Sequence, residues 1–242
     1  MDVSPEKQNL DTVFSHVPYH IDFYQREYKW GDSEVGILLD DIFHKFNQAY
    51  NPDLEPDESS VSRYPWYYLN TFVTNEVDGK LFLVDGQQRL TTLTLILIWL
   101  YHRCQGMGAI QESKWISEKI VSFSATGKTF WMGPGDREEI LSALYEGDVP
   151  DIDKKEDLTG ANMVHAYNLI ADYLRDELGT EHRIKTFVFY FLTRLVMVRL
   201  DVNQDDVAMV FEVINDRGIG LKAHEILKGK LLGKIDKAEV GP

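Results

Sequence analysis

At 242 residues, with thirty-nine acidic against twenty-five basic side chains, the chain carries a formal charge of −14, which argues against generic adhesion to nucleic acid or to an anionic membrane surface. Its 44% hydrophobic and 12% aromatic content is that of a globular protein with a sizeable core, either one large domain or one domain plus a helical extension. The single cysteine, Cys104, excludes an internal disulfide and a cysteine zinc cluster, and the seven histidines lack metal-ligand spacing.

The chain opens with MDVSPEKQNLDTV, which has neither an apolar core nor a basic leader, so no secretory signal is expected and a cytoplasmic protein follows. Next, HVPYHIDFYQREYKWG interleaves Tyr24, Tyr28 and Trp30 with Gln25, Arg26 and Lys29. Rings and donors at this density suit either stacking on a base while gripping phosphate, or the core side of an amphipathic strand. Ser33 or Asp32 then caps a helix carrying Val35, Leu38, Leu39, Ile42, Phe43 and Phe46 at helical spacing. The segment NPDLEPDESSVSRYP, rich in proline and acid and without periodicity, predicts a mobile surface loop.

Residues 81 to 101, LFLVDGQQRLTTLTLILIWLY, organise the rest. Leu81 to Val84 read as a strand, Asp85-Gly86 as a turn, and the residues from about Gln88 to His102 as a helix apolar on nearly every face, the pattern of a helix at a domain centre. Before the strand, Asp78-Gly79 supplies the positive φ angles of a tight turn, so WYYLNTFVTNEV and LFLV should pair antiparallel. Read alone, Gln87 to Arg89 are a solvated first helical turn; read chemically, they sit where free backbone N–H groups and the macrodipole attract anions. Cys104, on the same helix, reads as a small buried hydrophobe with no adjacent base to activate it.

Farther on, QESKWISEKIVSF predicts a short helix followed by an irregular stretch through Gly127, Gly133, Pro134 and Gly135. Asp136 starts a helix closed by Gly147, and residues 161 to 178 form an amphipathic helix with Met163, Tyr167, Ile170, Ala171 and Leu174 on one side. The second half of FVFYFLTRLVMVRLDV alternates as a strand does. In the last block, DDVAMVFEVINDRGIGLKAHEILKGKLL, a helical apolar stripe runs into Asn215, Asp216, Arg217 and Gly218. Gly218 and Gly220 follow these polar side chains, as in a helix C-cap or a backbone bent tightly around a ligand. Arg217, Lys222 and Lys228 stand out against so acidic a background. The expected class is α+β: a small antiparallel sheet packed on the central helix, residues 1–104, followed by a mostly helical region, residues 105–242, that closes the site.

Three blocks in order, YQREYKW, DGQQRLTTL and FEVINDRGIGLKAHEILK, resemble the N-terminal domain of GmrSD-type restriction endonucleases over roughly residues 10 to 235. That family is modification-dependent and acts in phage defence. The resemblance implies a ParB/sulfiredoxin-like fold that hydrolyses nucleotide, usually joined to a C-terminal nuclease domain of HNH type, and couples turnover to cutting modified or foreign DNA. The chain departs from the family pattern at Asp22 and Phe23, where prolines are usual, and at Lys222, where serine is common; both bear on substrate preference. No HNH signature is present before the chain ends, so an isolated domain or a truncated protein is expected.

On the chemistry of these residues, N–H groups around Gln87 to Arg89 and the Arg89 guanidinium hold phosphate oxygens, with Gly86 in the turn. Gln87 or Gln88 orients a water, and Asp85 holds Mg²⁺ directly or through water. Tyr24, Gln25, Arg26, Asn215, Arg217, Gly218 and Lys228 are the remaining nucleotide-binding candidates, with Arg26 and Arg217 expected to converge on the Asp85–Arg89 mouth. Expected partners are a nucleoside triphosphate, DNA through the full-length protein, and a C-terminal nuclease domain or partner subunit, with a homodimer compatible and no membrane. The alternative function is a nucleic-acid-sensing module that reads DNA backbone or modification without hydrolysis.

Overall fold

The structure, a computed structural model, describes residues 4–15, 17–21, 27–124, 127–132, 137–207 and 209–210. Strand β1 (Ser4–Asn9) leads through the one-turn helix α1 (Leu10–Val13), capped by the Asn9 side chain on Thr12 N, to the short strand β2 (Tyr19–His20). Helix α2 (Asp32–Ala49) buries Val35, Leu38, Leu39, Ile42, Phe43 and Phe46, the apolar stripe expected from their spacing. Its N-cap is Gly31 rather than Asp32 or Ser33: Glu34, three residues on, accepts from Gly31 N at 3.2 Å, which leaves the two expected cap residues inside the first turn.

Residues 51–65 are more structured than a mobile loop. Asp57 caps the one-turn helix α3 (Glu58–Val61), Val61 and Tyr64 are buried, and the Tyr64 hydroxyl accepts from Asn51 N at 3.2 Å. Two well-packed apolar anchors in an acidic stretch escape any test of periodicity.

Strands β3 (Tyr67–Val77) and β4 (Lys80–Asp85) form the expected antiparallel hairpin, turned by Asp78 at φ 51° and Gly79 at φ 73°. Helix α4 (Gln87–Gly106) follows, and every residue from Leu90 to Leu100 in it is buried. At roughly 1.5–3 kcal/mol for each fully buried Leu or Ile, this helix is the largest single contributor to the core. Its threonines are satisfied locally: Thr92 donates to Gln88 O at 2.8 Å and Thr94 to Leu90 O at 2.9 Å. Around it pack α5 (Ile110–Ile120), α6 (Glu138–Glu146), α7 (Leu158–Glu177) and α8 (Glu181–Arg194). Between α5 and α6, where an irregular stretch was expected, β5 (Val121–Ser124) and β6 (Gly127–Phe130) pair as a separate two-stranded sheet. Gly147 closes α6 in the left-handed conformation, as expected, whereas α7 starts earlier than expected because Asp157 caps Gly160 N at 2.8 Å.

Strand β7 (Leu195–Asp201) continues directly from α8 and completes a five-stranded sheet in the order β1-β7-β3-β4-β2. The fold is α+β, with a sheet that is mixed rather than wholly antiparallel: β1/β7 and β3/β4 run antiparallel, β7/β3 and β4/β2 parallel. Phe72, Leu81, Leu83, Leu195 and Met197 face the helices and join the main core, while Val73, Val84, Val202 and Val210 cluster on the opposite face. No helix among the described residues is long and apolar enough to cross a membrane. Cys104 is buried, and burial pushes its thiol up to about 12, which suits a packing role.

Candidate functional site

Strand β4 stops at Asp85, opposite Val73, so the β3 segment from Tyr67 to Thr71 has no β4 neighbour along that edge. Helix α4 starts beside this stretch of β3, and Gly86 makes the start possible. Its φ is +95°, and a Cβ built there would lie 2.7 Å from Phe72 Cβ and 3.3 Å from Phe72 Cα. Both the left-handed backbone and the close approach to β3 therefore require glycine. Among the described residues no side chain caps the helix, and its first turn holds no acidic residue.

The two glutamines are committed to backbone. Gln87 is buried and donates through Nε2 to Leu83 O at 3.2 Å, tying the helix back onto the strand it follows. Gln88 reaches a different segment: its Oε1 accepts from Lys29 N at 2.8 Å and Trp30 N at 3.4 Å, and its Nε2 donates to Glu27 O at 2.8 Å. The Gln88 amide thus clamps the segment 27–30 onto the helix start. Tyr28, in the middle of that segment, is wholly buried and fixed from three sides. Its hydroxyl meets Thr92 Oγ1 at 2.8 Å, its carbonyl accepts from Asn162 Nδ2 at 2.9 Å, and its N–H donates to Thr159 Oγ1 at 3.3 Å. Burial raises the Tyr28 phenol to about 12, so it is a neutral hydrogen-bonding post in the core and not a stacking platform. Beside it, the guanidinium of Arg137 donates to Thr91 Oγ1 at 2.9 Å while only 6% exposed.

This scaffold presents Arg89. The segment held by Gln88 carries Trp30, and the Arg89 guanidinium carbon lies 5.8 Å from the Trp30 ring centroid. Burial pulls the guanidinium below its ordinary value, and Asp85, Tyr68 and Tyr67 oppose that with favourable interactions. Tyr67 in turn is raised by burial and by Asp41 of α2, with Arg89 acting against them. Among the described residues, no side chain or carbonyl hydrogen-bonds the Arg89 guanidinium and none forms an ion pair with it at contact distance. A half-buried cation at a helix N-terminus, beside the Trp30 ring and within electrostatic reach of the Tyr67 and Tyr68 phenols, has donors to spare for an anion.

Of the residues expected at the site, Asp85, Gly86, Gln87, Gln88 and Arg89 lie together at this mouth. Tyr24, Gln25, Arg26, Asn215, Arg217, Gly218 and Lys228 fall outside the described residues, and so does the expected convergence of Arg26 and Arg217. Tyr67, Tyr68 and Arg137 were missed. Tyr67 and Tyr68 read as ordinary strand residues because what matters about them is that β4 ends before reaching them and leaves them near the start of α4, and no local pattern encodes that. Thr91 carried a usable signal, being a polar residue in an otherwise buried helix that has to find a partner.

Residues 7–232 match the family model described as GmrSD restriction endonuclease, N-terminal domain. No curated protein matches the chain.

Proposed function

The chain belongs to the family of GmrSD restriction endonuclease N-terminal domains, and from that membership we propose that it is a nucleotide-binding and nucleotide-hydrolysing regulatory domain within a phage-defence, modification-dependent restriction system. The observation that supports this most is the Arg89 guanidinium, desolvated by burial, flanked by rings and free of hydrogen-bonded acceptors among the described residues. Its fork takes two oxygens of a phosphate chain while the first-turn amides of α4 take others.

Asp85 is the carboxylate that acts electrostatically on Arg89, and the described residues hold no group of three or more metal-ligating side chains. That donor set fits a Mg²⁺ carried in by the nucleotide, bound through one carboxylate and the phosphates, rather than a resident all-protein metal site. When bound, Mg²⁺ supplies charge neutralisation on the phosphates. Gln88 acts through the segment it clamps: it sets Trp30 against Arg89 and is a positioning residue.

These roles separate in one experiment, calorimetry paired with phosphate release. Asp85→Asn should keep nucleotide binding without Mg²⁺ while losing the Mg²⁺-dependent gain and the turnover. Gln88→Ala should weaken binding by about 1 kcal/mol, the net worth of a typical hydrogen bond, through a loosened segment 27–30. If Gln88→Ala binds like the parent and loses turnover alone, Gln88 orients the attacking water; if both variants match the parent in binding and release, the phosphate position is elsewhere.

A further inference from the structure

The sheet face turned away from the helices holds the most exposed aromatic side chains of β3 and its approach. Trp66 is 54% exposed and Tyr68 44%. Register places them with a cation. Lys7 of β1 is the partner of Val198 in β7, and Tyr68 of β3 is the partner of Val196, two residues away on β7 and so on the same face. The Lys7 ammonium stands 4.5 Å from the Trp66 ring centroid, and among the described residues it has no carboxylate within ion-pair distance. At the other end of the strip, the Tyr68 phenol is an electrostatic neighbour of Arg89.

In a chain of net charge −14, Lys7 sets a cation with no ion-paired carboxylate among the described residues against an exposed ring, while Arg89, an electrostatic neighbour of Tyr68, shares its surroundings with Asp85. The Tyr68 hydroxyl is bonded to Thr71 Oγ1 at 3.0 Å, which restrains that side chain. Tyr68 lies in β3 and Trp66 just before it, two residues apart, so each offers its own platform. A ring stacks on any base, and a cation beside it takes the backbone phosphate, which is the chemistry of single-strand binding. A duplex keeps its bases stacked on one another and offers only phosphates to such a strip.

We propose that Lys7, Trp66 and Tyr68 form a docking face for single-stranded nucleic acid, with unpaired bases on the two rings and the backbone running from Lys7 towards Arg89. The proposal does not depend on nucleotide hydrolysis and shares Arg89 and its electrostatic neighbour Tyr68 with that site.

The test is fluorescence anisotropy of the full 242-residue chain with an end-labelled single-stranded oligodeoxynucleotide of about a dozen residues at low salt, alongside its duplex. The parent should bind the single strand more tightly than the duplex. Trp66→Ala and Tyr68→Ala should each weaken that binding roughly 5- to 150-fold, and Lys7→Ala should reduce the slope of log K against log salt by about 0.7. Trp66→Ala should leave the thermal midpoint and calorimetric nucleotide binding at parental values, so loss of one ligand is told apart from loss of the other. Absence of single-strand binding by the parent, equal or tighter binding of the duplex, or ring variants that bind like the parent would each overturn the proposal.

Discussion

Gly86→Ala should destabilise the protein by roughly 2–5 kcal/mol, the sum of about 1–2 kcal/mol for an L residue in left-handed backbone and about 1–3 kcal/mol for a methyl group forced into a packed space. The second part follows from position: the new Cβ meets Phe72 at 2.7 Å, and what it meets is the root of a β3 side chain whose own backbone is 3.3 Å away. A flexible side-chain tip could swing aside; a central strand cannot without disturbing its ladder to β7. The loss is a large fraction of the 5–15 kcal/mol by which domains are stable. Gly79→Ala is the control. Gly79 also has positive φ, 73°, but nothing lies within 4 Å of the place a Cβ would occupy, so only the conformational cost of about 1–2 kcal/mol applies. Urea midpoints for the two variants check this, and equal shifts would mean that α4 does not press on β3 at Gly86.

Arg89→Ala should weaken nucleoside triphosphate binding by about 1.5–3 kcal/mol, the loss of a charge-assisted contact. It should do so without harming the fold. Arg89 makes no hydrogen bond among the described residues and is desolvated, so its removal relieves a cost rather than breaking a network, and the thermal midpoint of the free protein should stay level or rise. Arg89→Lys keeps the charge but loses the planar fork and should recover only part of the affinity. A large fall in midpoint on Arg89→Ala would instead make Arg89 a structural residue, with the Trp30 ring as its packing partner.

What could be read from the sequence was local. Asp78-Gly79 encodes the β3–β4 hairpin, the run from Leu90 to Leu100 encodes a buried helix, and Asp85 to Arg89 mark the mouth, because turn chemistry and periodicity act over a few residues. The mixed sheet was not legible. Strand β7 lies between β1 and β3 although it comes more than a hundred residues after β3, and β1, SPEKQN, has none of the alternation that marks a half-buried strand. Such pairings are decided by tertiary packing. The role of Gln88 was equally hidden, since its partners at Glu27, Lys29 and Trp30 are backbone groups some sixty residues earlier and any side chains there would present them. Tyr28 shows the same limit: it reads as one ring among three candidates, and only the contacts with Thr92, Thr159 and Asn162 separate a buried post from a platform.

The central claim, that Arg89 and the start of α4 form a phosphate site, is tested most directly by thermal unfolding of the parent and Arg89→Ala against a panel of nucleoside triphosphates with and without Mg²⁺. A ligand at a hundred times its dissociation constant stabilises the folded state by roughly 2.7 kcal/mol. The predicted result is a rise of that order in the parent for at least one triphosphate, larger with Mg²⁺ and largely absent in Arg89→Ala at the same concentration. No shift in the parent with any triphosphate, or the same shift in Arg89→Ala, would contradict it.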